Sequence, residues 1–419
     1  MARRKRYAIA GTGSRALGMF ARPLTGELAG VGELVGVYDP NQLRAAAVSR
    51  LAGGVRTYRD FDEMLEAARP DTVIVTTVDG FHHEYTIRAL RAGCDVISEK
   101  PMTTEASSCR AILGTERETG RRVTVIFNFR YDPLASRVRE LLRSGAIGRI
   151  LAADFEWVLD RQHGADYFRR WHRRMRSSGG LLVHKATHHF DIANWWIGED
   201  PDTVYAHGAR RFYGDDRMPG HGKRCLDCPV KGGCELAWDL RSDPEAVALY
   251  LETEAEDGYL RDGCVFDSSI DIWDTMSVAV RYHGGALLTY SLTAYSPSEG
   301  WRIAVTGTEG RLETEAWSSG PLSGGEEEEI RILRPAPRFV TERKSVVETH
   351  RVRKLAGVHG GADELIRRAL FRGDLPDPLG RQAGSRAGAL SLLIGVAANG
   401  SIATGLPVRI PELLAGSAT

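Results

Sequence analysis

The chain has 419 residues, with 55 Lys and Arg against 55 Asp and Glu, for a formal net charge of zero. That length predicts two domains, because single hydrophobic cores stop growing well below it. The charge balance argues against nucleic acid or an anionic membrane as a partner.

The opening "MARRKRYAIAGTG" is basic, but its apolar run is only a few residues long, unlike a secretory signal. The late stretch "ALSLLIGVAANGSIATG" is interrupted by Asn399 and Gly400 and reads as too short to span a bilayer. Together these features predict a cytoplasmic protein, in which six cysteines do not make a disulfide framework.

In chain order, "RYAIAGTGSRALGMFARPL" reads as a strand, a glycine turn and a helix. Gly11-x-Gly13-x-x-Ala16 fits the dinucleotide fingerprint, so Gly11, Thr12, Gly13, Ser14 and Arg15 form a candidate cradle for a pyrophosphate. A second strand, "ELVGVYD", ends at Asp39, where a carboxylate would accept from ribose hydroxyls and repel a 2′-phosphate; this favours NAD. "DTVIVTT", "CDVISEK" and "RVTVIF" read as buried strands, separated by the amphipathic helices "HHEYTIRALRAG" and "TEASSCRAILGTERETG". The alternation predicts a doubly wound parallel sheet over residues 1–127. Asp39, Thr77, Lys100 and Asn128 all fall at strand carboxyl ends, where such sheets bind ligands. Lysine occurs only seven times, which makes Lys100 conspicuous.

Residues 128–419 change pattern. "PLASRVRELLRSG" predicts a helix and "RILAADFEW" a strand. The stretch "HKATHHFDIANWW", residues 184–196, predicts one helix with His184 and His188 on the same face. His-x-x-x-His is a zinc spacing, but the residue after the first histidine is Lys185 instead of the general-base Glu. Catalytic histidines or hydrogen-bonded core histidines remain as readings. Cys225, Cys228, Cys234 and Cys264, within an irregular insertion of about residues 215–270, have a composition that could hold one structural zinc, with His221 as a substitute fourth ligand. The strands "TMSVAVRYHG", "GALLTYSLTAYS" and "WRIAVTGTEGRLETEAW" alternate apolar and polar residues, as in an antiparallel sheet covered on one face. "AGALSLLIGVAANGSIATG" reads as a core helix.

"SEKPM", with Glu99, Lys100 and Pro101, resembles the Glu-Lys-Pro signature of the Gfo/Idh/MocA family of oxidoreductases. "TTVDGFHHE" is similar to its Thr-Pro-x-x-x-His segment, with Val78 in place of Pro, and "NFRYDP" to the element that follows the Rossmann unit. The resemblance covers nearly the whole chain. It implies an α/β fold: an N-terminal Rossmann doubly wound parallel sheet plus a C-terminal α+β domain with a large, mainly antiparallel open sheet. That sheet often mediates oligomers, here a homodimer or homotetramer. The resemblance implies that Thr77, His82, Glu99, Asn128, Trp171 and His172 contact the cofactor. It makes Lys100 and His188 the catalytic pair. His184 stands where the family usually has Asp, which opens the identity of the base. Arg130, Tyr167, Tyr295 and His359 are further substrate-pocket candidates.

The implied activity is hydride transfer between NAD and a secondary alcohol of a sugar, cyclitol or glycoside. "HGGAD" and "HHFD" also resemble the NAD-dependent N-acetylgalactosaminidase branch, which implies an alternative: a glycoside hydrolase that recycles NAD through transient C3 oxidation and elimination. A non-catalytic NAD-sensing regulator is the third reading.

Overall fold

The structure, a computed structural model, describes residues 3–214, 217–335 and 346–416, without the side chains of Val358 and His359. The first sheet runs in the order Val123–Val125, Asp95–Ser98, Thr72–Val75, Lys5–Ala10, Gly32–Tyr38, Thr57–Tyr58, all parallel. Order reverses between Lys5–Ala10 and Thr72–Val75, so the crevice at their carboxyl ends is the ligand position for a doubly wound sheet. The strands are apolar because helices cover both faces; residues 72–75 are all buried. Ala383–Gly384 returns from the far end of the chain and pairs antiparallel with Val123–Val125.

The second sheet has nine strands in the order Val346–Arg353, Glu327–Arg334, Arg311–Ser319, Glu299–Gly307, Ile150–Asp160, Leu287–Ser296, Thr275–Tyr282, Pro201–Ala209, Val408–Arg409. Every pair is antiparallel except Ile150–Asp160 with Leu287–Ser296. Strict alternation of buried and exposed residues along Thr275–Tyr282 marks one covered face and one exposed face.

Two helices cover the inner face and bring the sheets together. Helix Ser385–Thr404 packs on Pro201–Ala209 and on helix Ala186–Ile197, and also reaches Val123–Val125 and helix Ala106–Thr119 of the first domain. At 20 residues it is long and apolar enough to cross a membrane, contrary to the sequence reading, but it is mostly buried inside the protein. Asn399 does not break it: its Nδ2 donates to the Gly179 carbonyl at 2.7 Å. Leu390, Leu392, Leu393 and Ile394 are buried on it, each worth up to about 1.5–3 kcal/mol relative to exposure. Helix Pro133–Arg143 starts where expected, with Pro133 at its first position and Asp132 accepting from Ala135 N–H.

Candidate active site

The turn Gly11–Arg15 leaves the first strand at the crevice. Gly11 has φ +91°, and a Cβ there would lie 2.5 Å from the Thr77 backbone nitrogen, so only glycine lets these two strand ends meet. Asp39 braces the turn: Oδ2 accepts from the Thr12 N–H at 2.7 Å and the Thr12 hydroxyl at 2.9 Å, and Oδ1 from Asn41 N–H at 2.8 Å. Burial raises its carboxyl pKa, and the Thr12 bonds and Arg44 oppose the rise. Arg15, expected at the cofactor, binds Glu99 at 2.5 Å and Asp363 at 2.9 Å.

The insertion lies over this turn. Ser14 N–H donates to the Tyr250 hydroxyl at 2.9 Å, which donates to Ser14 Oγ at 3.2 Å. Asn41 Nδ2 donates to the Thr253 carbonyl at 2.9 Å, Arg44 pairs with Asp257 at 2.8 Å, and Arg22 with Glu245 at 2.6 Å. Residues 244–257 thus form a strap fastened to both sides of the phosphate cradle. Two buried polar atoms, Asn128 Oδ1 and His172 Nδ1, have no hydrogen-bond partner within the protein. Such orphans call for a polar ligand. A carboxamide can satisfy them, and the glycine turn suits a pyrophosphate, so these residues fit a nicotinamide dinucleotide.

Lys100 follows strand Asp95–Ser98 at the same edge. Its Nζ donates to the His184 carbonyl at 3.2 Å and lies 3.4 Å from His184 Nε2. His184 Nδ1 in turn meets Asp79 Oδ2 at 2.5 Å. Asp79 begins the turn Asp79–Phe81, just past strand Thr72–Val75. Asp79 and His184 are buried. Burial pushes Lys100 down, with Asp79 and Glu99 opposing. Burial pushes Asp79 well up, with Lys100 and Arg170 opposing, and pushes His184 well down, aided by His172 and Lys100.

The walls are aromatic. His172 lies 4.0 Å from His184 between ring centroids, Tyr167 5.5 Å and Trp171 5.7 Å, and Trp171 stacks on His172 at 3.7 Å. The Tyr167 hydroxyl meets His163 Nε2 at 3.1 Å, and His163 Nδ1 meets Glu299 at 2.8 Å. Lys185 is buried with its ammonium 5.5 Å from the Trp157 ring; burial lowers its pKa to about 8, with Glu299 opposing.

The structure departs from the single-helix expectation. The chain forms Leu181–His184, turns at Lys185, and continues as Ala186–Ile197. His184 faces Asp79 and Lys100, whereas the His188 ring packs edge-on against Phe129 at 5.5 Å and Phe127 at 5.9 Å. His189 stacks on Trp157 at 3.8 Å and bonds the Tyr290 hydroxyl at 2.6 Å.

Other expectations are corrected. Arg130 is buried and its guanidinium is spent on Asp191, through two bonds of 2.7 Å, and on the Gly380 carbonyl at 3.0 Å, so it is a structural group behind the pocket. His82 directs its ring nitrogens to the carbonyls of Pro101 at 2.7 Å and Thr77 at 2.9 Å; it braces the loops under Lys100. The Tyr295 hydroxyl bonds Thr275 at 2.9 Å, and its ring stacks on Phe212 at 5.0 Å. The His359 side chain lies outside the described residues. Cys225, Cys228, Cys234, Cys264 and His221 line one small cavity. Yet among the described residues no group of three His, Cys, Asp or Glu is placed to hold a metal. Arg169 donates to Cys225 Sγ at 3.0 Å and Gly222 N–H to Cys228 Sγ at 3.3 Å, so a fixed cation already sits among the thiols where zinc was expected.

Sequence reasoning missed Asp79, Lys185, Tyr250 and His163. Asp79 had a signal: it lies in the "TTVDGFHHE" loop between Thr77 and His82, at the carboxyl edge. Tyr250 had none, because nothing local shows where an insertion docks.

Residues 5–127 match the family described as GFO_IDH_MocA, oxidoreductase family, NAD-binding Rossmann fold, and residues 139–410 match its C-terminal alpha/beta domain. The chain belongs to this family. As a Gfo/Idh/MocA oxidoreductase it is 38% identical over 432 residues to YteT of Bacillus subtilis (strain 168), named only as an oxidoreductase, with 98% of each chain covered. It is 32% identical over 192 residues to inositol 2-dehydrogenase 2 of Saccharopolyspora erythraea, spanning 45% of this chain and 53% of that one. The dehydrogenase WlbA of Bordetella pertussis, solved with NADH and UDP-GlcNAcA, shares the fold with TM-score 0.65 and 18% identity, over 97% of this chain and 99% of that one. The family match makes the chain an oxidoreductase with an NAD-binding Rossmann fold and a C-terminal alpha/beta domain.

Proposed function

We propose that this oxidoreductase is an NAD-dependent dehydrogenase of a secondary alcohol in a neutral sugar, cyclitol or glycoside. The observation that carries the reading is Lys100 held against His184 at the carboxyl edge of the Rossmann sheet, within aromatic walls. When bound, NAD supplies a two-electron acceptor for the hydride on the alcohol carbon. The Lys100 ammonium lowers the pKa of the hydroxyl it faces and orients it, and His184 Nε2 accepts the displaced proton. Asn128 and His172 would orient the carboxamide, and Gly11–Ser14 the pyrophosphate. Asp39, at the end of the second strand, favours NAD over NADP by repelling a 2′-phosphate. Relatives named as inositol 2-dehydrogenases support a polyol substrate.

The test is reduction of NAD by a panel of neutral cyclitols, aldoses and glycosides. Lys100→Met should lower turnover by about two orders of magnitude or more while NAD still binds by calorimetry. Tighter binding of NADP than NAD, or full turnover in Lys100→Met, would remove the reading; a protein that binds NAD and turns over nothing would favour the NAD-sensing regulator.

One observation favours a second reading, in which the cofactor is recycled in place. The strap from Glu245 to Asp257 is fastened over the phosphate cradle by Tyr250, Thr253 and Asp257. A cofactor beneath it would exchange slowly and be reoxidised on the enzyme, as the glycoside-cleaving alternative requires. Release of radiolabelled NAD into excess unlabelled NAD separates the two: exchange within seconds favours a dissociating cofactor, retention over hours a resident one.

A further inference from the structure

Asp79 has a neighbourhood that the proposed dehydrogenase chemistry above does not use. It is nearly fully buried, at 3% exposure, and an ionised carboxylate in such a place needs partners. One oxygen is 2.5 Å from His184 Nδ1. The opposite ring nitrogen, Nε2, is 3.4 Å from Lys100 Nζ, which also donates to the His184 carbonyl at 3.2 Å. The carboxylate comes from the first domain and the imidazole from the second, so the pair forms only in the assembled fold. A neutral imidazole carries one ring proton, and the bond made at one nitrogen decides which. A carboxylate at Nδ1 demands the proton there. That leaves Nε2 with its lone pair turned toward Lys100.

We infer that Asp79 is a positioning residue which fixes the Nδ1–H tautomer of His184, so that His184 Nε2 is the terminal proton acceptor for Lys100. This rests on the dehydrogenase reading. In the step, the substrate O–H bond breaks and its proton goes to Lys100 Nζ as Lys100 passes one of its own protons to His184 Nε2. The electron pair of the O–H bond would stay on oxygen and become the second C=O bond as the alcohol carbon gives up its hydride, for which bound NAD would supply the acceptor. Lys100 ends as it began, an ammonium, and the new imidazolium is neutralised by Asp79. The charged and titratable groups facing this chain are Glu99, Arg170, His172, Lys185 and Tyr167. Burial pushes the Asp79 carboxyl well up and Glu99 adds to the rise, while Lys100 and Arg170 oppose it; the assignment of the ring proton rests on the 2.5 Å contact at Nδ1 and on Lys100 at Nε2.

The test has one arm that needs no substrate. In NAD-saturated full-length protein labelled with 15N-histidine, with the His184 signal assigned by its loss in His184→Gln, two-bond 15N–1H correlations at neutral pH should show Nδ1 protonated and Nε2 bare. In Asp79→Asn the amide NH2 donates to Nδ1 and the tautomer should reverse. An Nε2–H tautomer in the unaltered protein, or no change in Asp79→Asn, overturns the inference. The second arm uses the best polyol from the panel. Asp79→Asn should lower kcat roughly 100-fold or more near neutrality, with NAD affinity unchanged and the acidic limb of the pH profile moved to lower pH, because the imidazolium loses its counter-charge. Asp79→Glu should recover part of the loss with the limb restored. A loss equal at every pH, unrescued by Glu, would mean a merely structural carboxylate and also overturns the inference. If no polyol reduces NAD, the dehydrogenase reading fails while the tautomer arm still decides the role of Asp79.

Discussion

At the scale of single residues, the site holds more buried charge than stability alone would select. Lys185 is the clearest case: its ammonium sits over Trp157, with its pKa lowered from 10.5 to about 8 by burial. A folded-state pKa below the unfolded one means that folding is penalised while the group is charged. The penalty is complete below about pH 8 and is relieved as pH rises toward 10.5. By that shift it is at most about 3 kcal/mol. Lys185→Met should therefore raise stability in urea unfolding near neutral pH by about 1–3 kcal/mol, and the gap should narrow at about pH 10. If Lys185 contacts substrate, kcat/KM falls in the same variant although the protein is more stable. A variant less stable than its parent at neutral pH would refute the charge-burial account. Lys100 was legible in the sequence because lysine is rare and Pro101 follows it. Asp79 was not singled out, because its partner His184 lies 105 residues away and in the other domain.

At the scale of elements, close backbone packing puts His184 where it is. Gly395, in helix Ser385–Thr404, faces the Leu182 carbonyl, and a Cβ there would also lie 3.1 Å from Val183 Cα. Leu181–His184 can approach the core helix only because position 395 has no side chain. Gly395→Ala should cost about 1–3 kcal/mol from overpacking and should lower turnover by shifting His184. Gly400→Ala is the control on the same helix: its Cβ would meet only Val408 Cγ2, at 3.5 Å. There the helix gains up to about 1 kcal/mol from the better helix former. Thermal unfolding and kcat of the two variants check this, and equal effects would refute it. The elements themselves were largely readable. Apolar strand runs, the period of the covered sheet and the capped start of Pro133–Arg143 are local signals. The break at Lys185 was not readable, since the sequence there lacks Gly and Pro.

At the scale of the molecule, the two sheets are joined by a shared helix, a returning strand and a buried ion pair. Arg130 lies just past the last parallel strand, and Asp191 on the helix Ala186–Ile197; both are buried. Removing only the cation leaves Asp191 uncompensated. Arg130→Ala should cost about 3–5 kcal/mol, whereas Arg130→Met with Asp191→Leu should recover most of that. Denaturant unfolding of the single and double variants measures the difference, and a double variant as unstable as the single one would contradict it. The strap belongs to this scale too, because its contacts span more than 200 residues of sequence.

The sequence by itself determined the doubly wound first sheet, the glycine turn, Asp39 and Lys100 at one edge, and a mainly antiparallel second sheet. Each depends on spacing within one element or on strand ends that a parallel sheet must align. Tertiary structure decided that His184 meets both Lys100 and Asp79, that Arg130 pairs with Asp191, and that Arg169 stands among the cysteines. It also decided that the insertion covers the phosphate cradle. Those outcomes turn on contacts of a few ångströms between segments far apart in the chain, and no local pattern encodes such a meeting.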